Sequence, residues 1–184
     1  MPTVFSHPAV AVGLFPLFRN ITRNKLVLIT GILLTVLPDL DVLGFRYGIP
    51  YADIFGHRGI SHSIPFAFIV SLLCAAAMYR ACRCTLFRLW LYFFLCTVSH
   101  GLLDAMTSGG LGIAFFSPFD ETRYFFSFRP VKVSTLSLSL FFNGQGLPVI
   151  ISELQWVWLP AVSVLSTLLL FSVIQKRNRL QADD

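Results

Sequence analysis

Charge is what this sequence has least of. Only 12% of its 184 residues are Asp, Glu, Lys or Arg, against about a quarter in an average soluble domain, while 55% are hydrophobic. That scarcity, with a mean hydropathy of +0.73, excludes a soluble globular domain and predicts an all-α bundle of membrane-spanning helices. Acids are rarer than bases, 9 against 14, for a net charge of +5. No polar domain gathers the basic residues, so nucleic acid is excluded as a partner and the excess is read as membrane topology. Cysteine is sparse too. Cys74, Cys82, Cys84 and Cys96 form no CxxC pair, which excludes a zinc-ribbon, a thioredoxin-like motif and a disulfide framework. Met1 to Phe18 contains no Lys or Arg, so no cleavable signal peptide is expected and the protein is expected to start at or near Met1. Repeats and low-complexity tracts are missing, and 19 Phe with 10 Pro argue against disordered, coiled-coil or fibrous classes.

Five apolar segments stand out, at residues 4–18, 26–37, 63–79, 89–106 and 154–174. The first two fall short of the about 20 residues a span requires, as helices do when they open onto a polar cavity. A single integral-membrane domain is expected over residues 1–184: a core at 1–132, an apolar or re-entrant stretch at 133–152, a last spanning helix at 153–175 and a tail at 176–184. Arg19, Arg23 and Lys25, then Arg80, Arg83 and Arg88, then Lys176, Arg177 and Arg179 mark three turns or ends. All lie on one side if the N-terminus is outside and the C-terminus cytoplasmic, as the positive-inside rule requires of an inner-membrane protein. Trp156 and Trp158 then mark the outer interface, and residues 38–62 and 107–153 are outer segments.

Every histidine joins a pattern with acids: His7, then Asp39 and Asp41, then His57 and His62, then His100 and Asp104. Counted from the nearest basic residue at a helical rise, His7 and His100 lie roughly 18 Å up, Asp39 about 21 Å, Asp104 about 24 Å and His62 about 27 Å. Ligand-type residues from four helices thus reach the outer part of the membrane, where a bundle interior is the inexpensive place for them. His100 and Asp104, four apart, share a helix face. Asp39 and Asp41 end a helix whose dipole is already negative there, a conflict a cation would remove. Gly59 lets the chain fold so that His57 and His62 both face inward. Blander readings stand beside these: His7 as an interfacial cap, Asp39 and Asp41 as a solvated helix end, His57 as a loop hydrogen-bonder. His100 with Asp104 resists such a reading, because burying both without a partner is costly. Histidine and carboxylate without thiolate suit Zn²⁺, Mn²⁺ or Fe²⁺.

Leu37-Pro-Asp-Leu-Asp41, His57-Arg-Gly-Ile-Ser-His-Ser63 and Ser99-His-Gly-Leu-Leu-Asp-Ala-Met-Thr-Ser-Gly109, with the early His7, resemble the YdjM-like family of LexA-regulated, membrane-bound metal-dependent hydrolases. The resemblance covers roughly the first 130 residues; Ser61 stands where the family's HRGxTHS form has threonine, a change that keeps the hydroxyl. It implies a hydrolase. From resemblance and chemistry together, Asp39, Asp41, His62, His100 and Asp104 are expected metal ligands, with His7 and His57 next, for one or two ions of Zn or Mn. Asp39, Asp41, His57 and Arg58 are the expected catalytic group. Arg123 and Arg129 lie on an aromatic-rich outer loop and suit a phosphorylated lipid or other amphiphile, since guanidinium forks bind phosphate. A divalent-cation transporter or a metal-stabilised scaffold without turnover are the alternatives; the spans below His100 and Asp39 offer no second acid, which favours a one-ended pocket.

Overall fold

A computed structural model of the chain describes residues 2–18, 24–134 and 141–182. Its elements are helical: α1 (Pro8–Leu14), α2 (Lys25–Val36), α3 (Ile64–Cys82), α4 (Leu86–Ala105), α5 (Gly146–Glu153) and α6 (Leu159–Ala182). The expected helical membrane bundle is what the chain forms. Four stretches are long and apolar enough to cross a membrane: Lys25–Tyr47, Ile64–Cys82, Leu86–Ala105 and Gly146–Leu168. The apolar helix at Pro8–Leu17 is shorter; at a helical rise it covers about half of a hydrocarbon core.

Local sequence sets the breaks. Asn24 caps α2 by accepting from the Leu26 N–H at 2.9 Å, and Ser63 caps α3 by accepting from the Phe66 N–H at 3.2 Å. Pro38 has no N–H to continue the α-helical ladder, and the chain tightens there into a 3-10 run, Leu37–Tyr47, closed by Gly48 at φ 77°. The last span begins earlier than the tryptophans suggest. After a kink at Asn143 and Gly144, residues 146–153 are helical, and a π-helical turn at Leu154–Trp158 joins α5 to α6, so the apolar stretch runs into the final helix; residues 135–140 lie outside the described part.

The core joins α1, α2, α3 and α4 through Ala11, Val27, Leu34, Ala75, Leu89, Tyr92, Phe93 and Cys96. Gly31 of α2 makes room for Tyr92 of α4: a Cβ there would meet the Tyr92 hydroxyl at 2.6 Å, and that hydroxyl donates to the Ala11 carbonyl at 3.1 Å. The Asn24 amide contacts Cys82 Sγ at 3.2 Å, which brings Lys25 and the Arg80–Arg88 turn to one end of the bundle. Arg19 and Arg23 lie outside the described residues, and Lys176, Arg177 and Arg179 fall on the final turns of α6. The histidines and their acids gather at the opposite end, under a long loop, residues 106–134, tied by isolated bridges between Thr107 and Val131 and between Ile113 and Tyr124.

Candidate metal centre

Four elements meet at the cluster. The break after α2 delivers Asp39 and Asp41, the loop before α3 delivers His57, Arg58 and His62, α4 delivers His100 and Asp104, and His7 stands at the head of α1. His62 and His100 face each other, Nε2 to Nε2, at 3.0 Å. Asp39 Oδ1 lies 3.2 Å from His100 Nε2 and 3.7 Å from His62 Nε2, and Asp104 Oδ2 lies 3.6 Å from His62 Nε2. One ligand atom from each of these four residues falls within 4.8 Å of the others. Those separations bracket the roughly 3.3 Å edge of a tetrahedron with metal–ligand bonds of about 2.0–2.1 Å.

Ring chemistry makes the histidine pair informative. His100 Nδ1 lies 2.7 Å from the Thr35 carbonyl oxygen, which can only accept, so Nδ1 carries the proton and Nε2 presents its lone pair. On His62, Nδ1 lies 3.1 Å from Asp41 Oδ2 and 2.9 Å from Ser61 Oγ, which leaves Nε2 in the same state. Two lone pairs at 3.0 Å repel unless something positive lies between them. Burial opposes protonation of His62, but Asp104, Asp39 and Asp41 outweigh it and hold this group up to about 10. In the ion-free cluster a proton fills that role, and a cation competes with it for the same lone pairs.

Charge counting points the same way. Asp39, Asp41 and Asp104 carry three negative charges against one guanidinium, Arg58, whose Nε lies 3.1 Å from Asp104 Oδ2 with both side chains fully enclosed. The remaining two charges equal one divalent ion. Both oxygens of Asp39 and of Asp104 are buried without a hydrogen bond among the described residues, Asp104 Oδ2 having the Arg58 ion pair alone, as expected of ligand atoms. The residues therefore fit a divalent metal.

Asp41 belongs to the surround of this cluster. It accepts from His57 Nδ1 at 2.7 Å, from the Arg58 N–H at 3.2 Å and from Ser61 Oγ at 2.6 Å, and it reaches His62 from the ring nitrogen opposite the cluster. Carboxylates in that position orient a ligating ring and raise its basicity. Asp41, His57 and His62 also form a second group with metal-ligand spacing, but the Nδ1 atoms of both histidines already bond the Asp41 carboxylate. Arg58 is fully enclosed at φ 68° and donates to the Gly109 carbonyl at 2.8 Å and to Thr107 Oγ1 at 3.0 Å. Gly59 is needed for close approach, since a Cβ there would meet the Ile54 carbonyl oxygen at 2.2 Å; the positive φ falls on Arg58 instead. His7 stacks on His100 with centroids 3.9 Å apart, and its Nε2 lies 3.9 Å from Asp104 Oδ1.

The two arginines of the 106–134 loop part company. Arg123 spends its guanidinium on the His57, Tyr51 and Asp53 carbonyls at 3.2–3.4 Å, bracing the loop that carries His57. Arg129 lies over the Phe125 ring at 4.8 Å and lines, with Ser108 and Lys132, a cavity of about 440 Å³. Sequence reasoning gave no role to Thr35, Ser61 and Thr107, though the last two sit inside the quoted motifs. It also passed over Glu153, which no motif flags.

The profile of the YdjM inner membrane protein family matches residues 1–179. Inner membrane protein YbcI of Escherichia coli (strain K12) is 43% identical over 170 residues, covering 91% of this chain and 97% of that protein. No solved structure matches significantly. With four spans, a buried His–Asp cluster and these similarities, the chain belongs to the YdjM inner membrane protein family.

Proposed function

We propose that this protein is a multi-pass inner-membrane hydrolase that uses a single divalent ion, Zn²⁺ or Mn²⁺, to cleave a phosphoester in a lipid or other amphiphile. The observation that carries the reading is the pair of Nε2 atoms at 3.0 Å, each with its Nδ1 already engaged, inside a cluster with two uncompensated negative charges. When bound, the ion supplies Lewis-acid chemistry: it lowers the pKa of a water and polarises an ester oxygen.

The residues divide the remaining work. His62, His100 and Asp104 would hold the ion, the three protein ligands that catalytic sites use. Asp104 is locked by Arg58, so it is a fixed ligand. Asp39 stands beside them and is less enclosed than the other three, with a side chain 8% exposed against 0% for His62, His100 and Asp104. It is the carboxylate positioned to take the proton of the attacking water. Arg58 supports catalysis by holding Asp104 and the 107–109 turn, and Asp41 with Ser61 fixes the tautomer of His62. Arg129 contributes the substrate-facing cation, since Arg123 is committed to backbone carbonyls.

The positive-inside rule puts the Arg80–Arg88 end in the cytoplasm, hence the C-terminus inside and the site towards the outer face. Beneath the cluster lie Leu34, Phe93 and Cys96, all buried, an apolar floor that favours a one-ended pocket over a cation pathway. The test is release of phosphate or headgroup from lipid phosphate esters in mixed micelles. Turnover that needs Zn²⁺ or Mn²⁺ and is lost in His100→Ala supports the reading; metal-loaded protein inert towards a broad phosphoester panel overturns it.

A further inference from the structure

The last helical stretch holds a carboxylate that the metal cluster does not use. Glu153 ends α5 within the span Gly146–Leu168, yet it is only 3% exposed. An acid at such a position is costly unless it is fully partnered, and here all its partners come from the start of the chain. It accepts from the Thr3 backbone N–H, from Thr3 Oγ1 at 2.6 Å and from Ser6 Oγ at 2.7 Å. Ser6 Oγ in turn accepts from the Trp158 indole N–H at 3.2 Å, so the π-helical turn after Glu153 joins the same knot.

The next residue after Ser6 is His7. Its ring is fully buried and stacked on His100 at an interplanar angle of 17°, with neither ring nitrogen hydrogen-bonded and Nε2 turned towards Asp104. The helix behind it is short, seven residues, and chain ends are loosely held unless tied down. The tie that sets the start of this helix is the Glu153 carboxylate.

Building on the metal reading above, we propose that Glu153 is a positioning residue for the centre. By fixing Thr3 and Ser6 it holds the His7 ring over His100, so that the last helix closes the site from the N-terminal side. Glu153 touches neither ion nor substrate; it acts through His7.

The test uses full-length protein in detergent loaded with Co²⁺ as an optical probe, together with ¹⁵N signals of the histidine rings in metal-free protein. Glu153→Leu is expected to shift the cobalt absorption bands as His7→Ala does, to weaken Co²⁺ binding about 10- to 100-fold, and to add nothing when combined with His7→Ala. Glu153→Gln keeps an oxygen for the Thr3 N–H and should restore the wild-type spectrum. Ser6→Ala, which leaves two donors on the carboxylate, should shift the bands in the same direction by less, and it serves if Glu153→Leu does not fold. Wild-type bands in both Glu153→Leu and Ser6→Ala would overturn the proposal. If wild-type protein takes up no cobalt, the metal reading fails, and the ring signals decide separately: a moved His7 signal in Glu153→Leu supports the tie, and an unmoved one refutes it.

Discussion

Replacing Arg58 by Met removes a guanidinium while keeping most of the side-chain volume. In the metal-free protein this leaves Asp104 with no cation at 3.1 Å, and the Gly109 carbonyl and Thr107 hydroxyl without their donors at 2.8 and 3.0 Å. Breaking a buried ion pair from one side costs about 3–5 kcal/mol. For a chain of this length, that corresponds to a fall of roughly 6–20 °C in unfolding midpoint. Counted without the His62 proton that the ion displaces, the cluster then carries three negative charges instead of two, so a divalent ion relieves more repulsion in the variant than in wild type. A ligand at 100 times its Kd stabilises by about 2.7 kcal/mol, and a tighter one by more. Thermal unfolding in detergent, with and without saturating Mn²⁺ or Zn²⁺, should show a large drop for metal-free Arg58→Met and a larger metal-induced rise than in wild type. A metal-free variant as stable as wild type, or a variant whose midpoint the metal leaves unmoved, would refute the charge argument.

Other substitutions probe other parts of the structure. Ser61→Ala should reduce metal affinity about 10- to 100-fold with little change in fold, read by chelator competition, because it loosens the Asp41 and His62 pair. Gly31→Ala places a methyl against the buried Tyr92 hydroxyl and should destabilise the bundle by about 1–3 kcal/mol, seen as a lower unfolding midpoint. Metal uptake displaces the proton that the carboxylates hold on His62, whose pKa is raised to about 10. Apparent affinity should therefore climb as pH rises through the neutral range, with proton release measurable in weakly buffered titrations; a flat pH dependence would count against His62 as a ligand. A reporter fused after Arg83 should be cytoplasmic and one inserted near Gly110 external.

The spans and the cluster were legible in the sequence for the same reason: ionisable side chains are rare on apolar helices, so those that occur stand out against the background. Period and depth sufficed to bring His7, Asp39, His62, His100 and Asp104 to one level. What could not be read was the division of labour. Asp39 and Asp41, two apart, look equivalent in sequence, yet the 3-10 run after Pro38 turns one towards His100 and the other towards His57 and Ser61. Arg123 and Arg129 look equally free, and only the folded loop commits the first to carbonyls. Glu153 was invisible because its partners, Thr3 and Ser6, are about 150 residues away, beyond any local spacing. The start of the last span was hidden as well, since Pro148 and Pro160 read as breaks, whereas each sits in the first turns of a helix, where its missing N–H costs no hydrogen bond.

The central claim is that the His–Asp cluster holds one divalent ion. Elemental mass spectrometry on detergent-purified protein, with His100→Ala and Asp104→Asn compared at equal folded yield, tests it. About one equivalent of zinc or manganese is expected in wild type, lost in both variants. Wild-type protein that stays metal-free after reconstitution, or His100→Ala protein that keeps its full metal content, would contradict it.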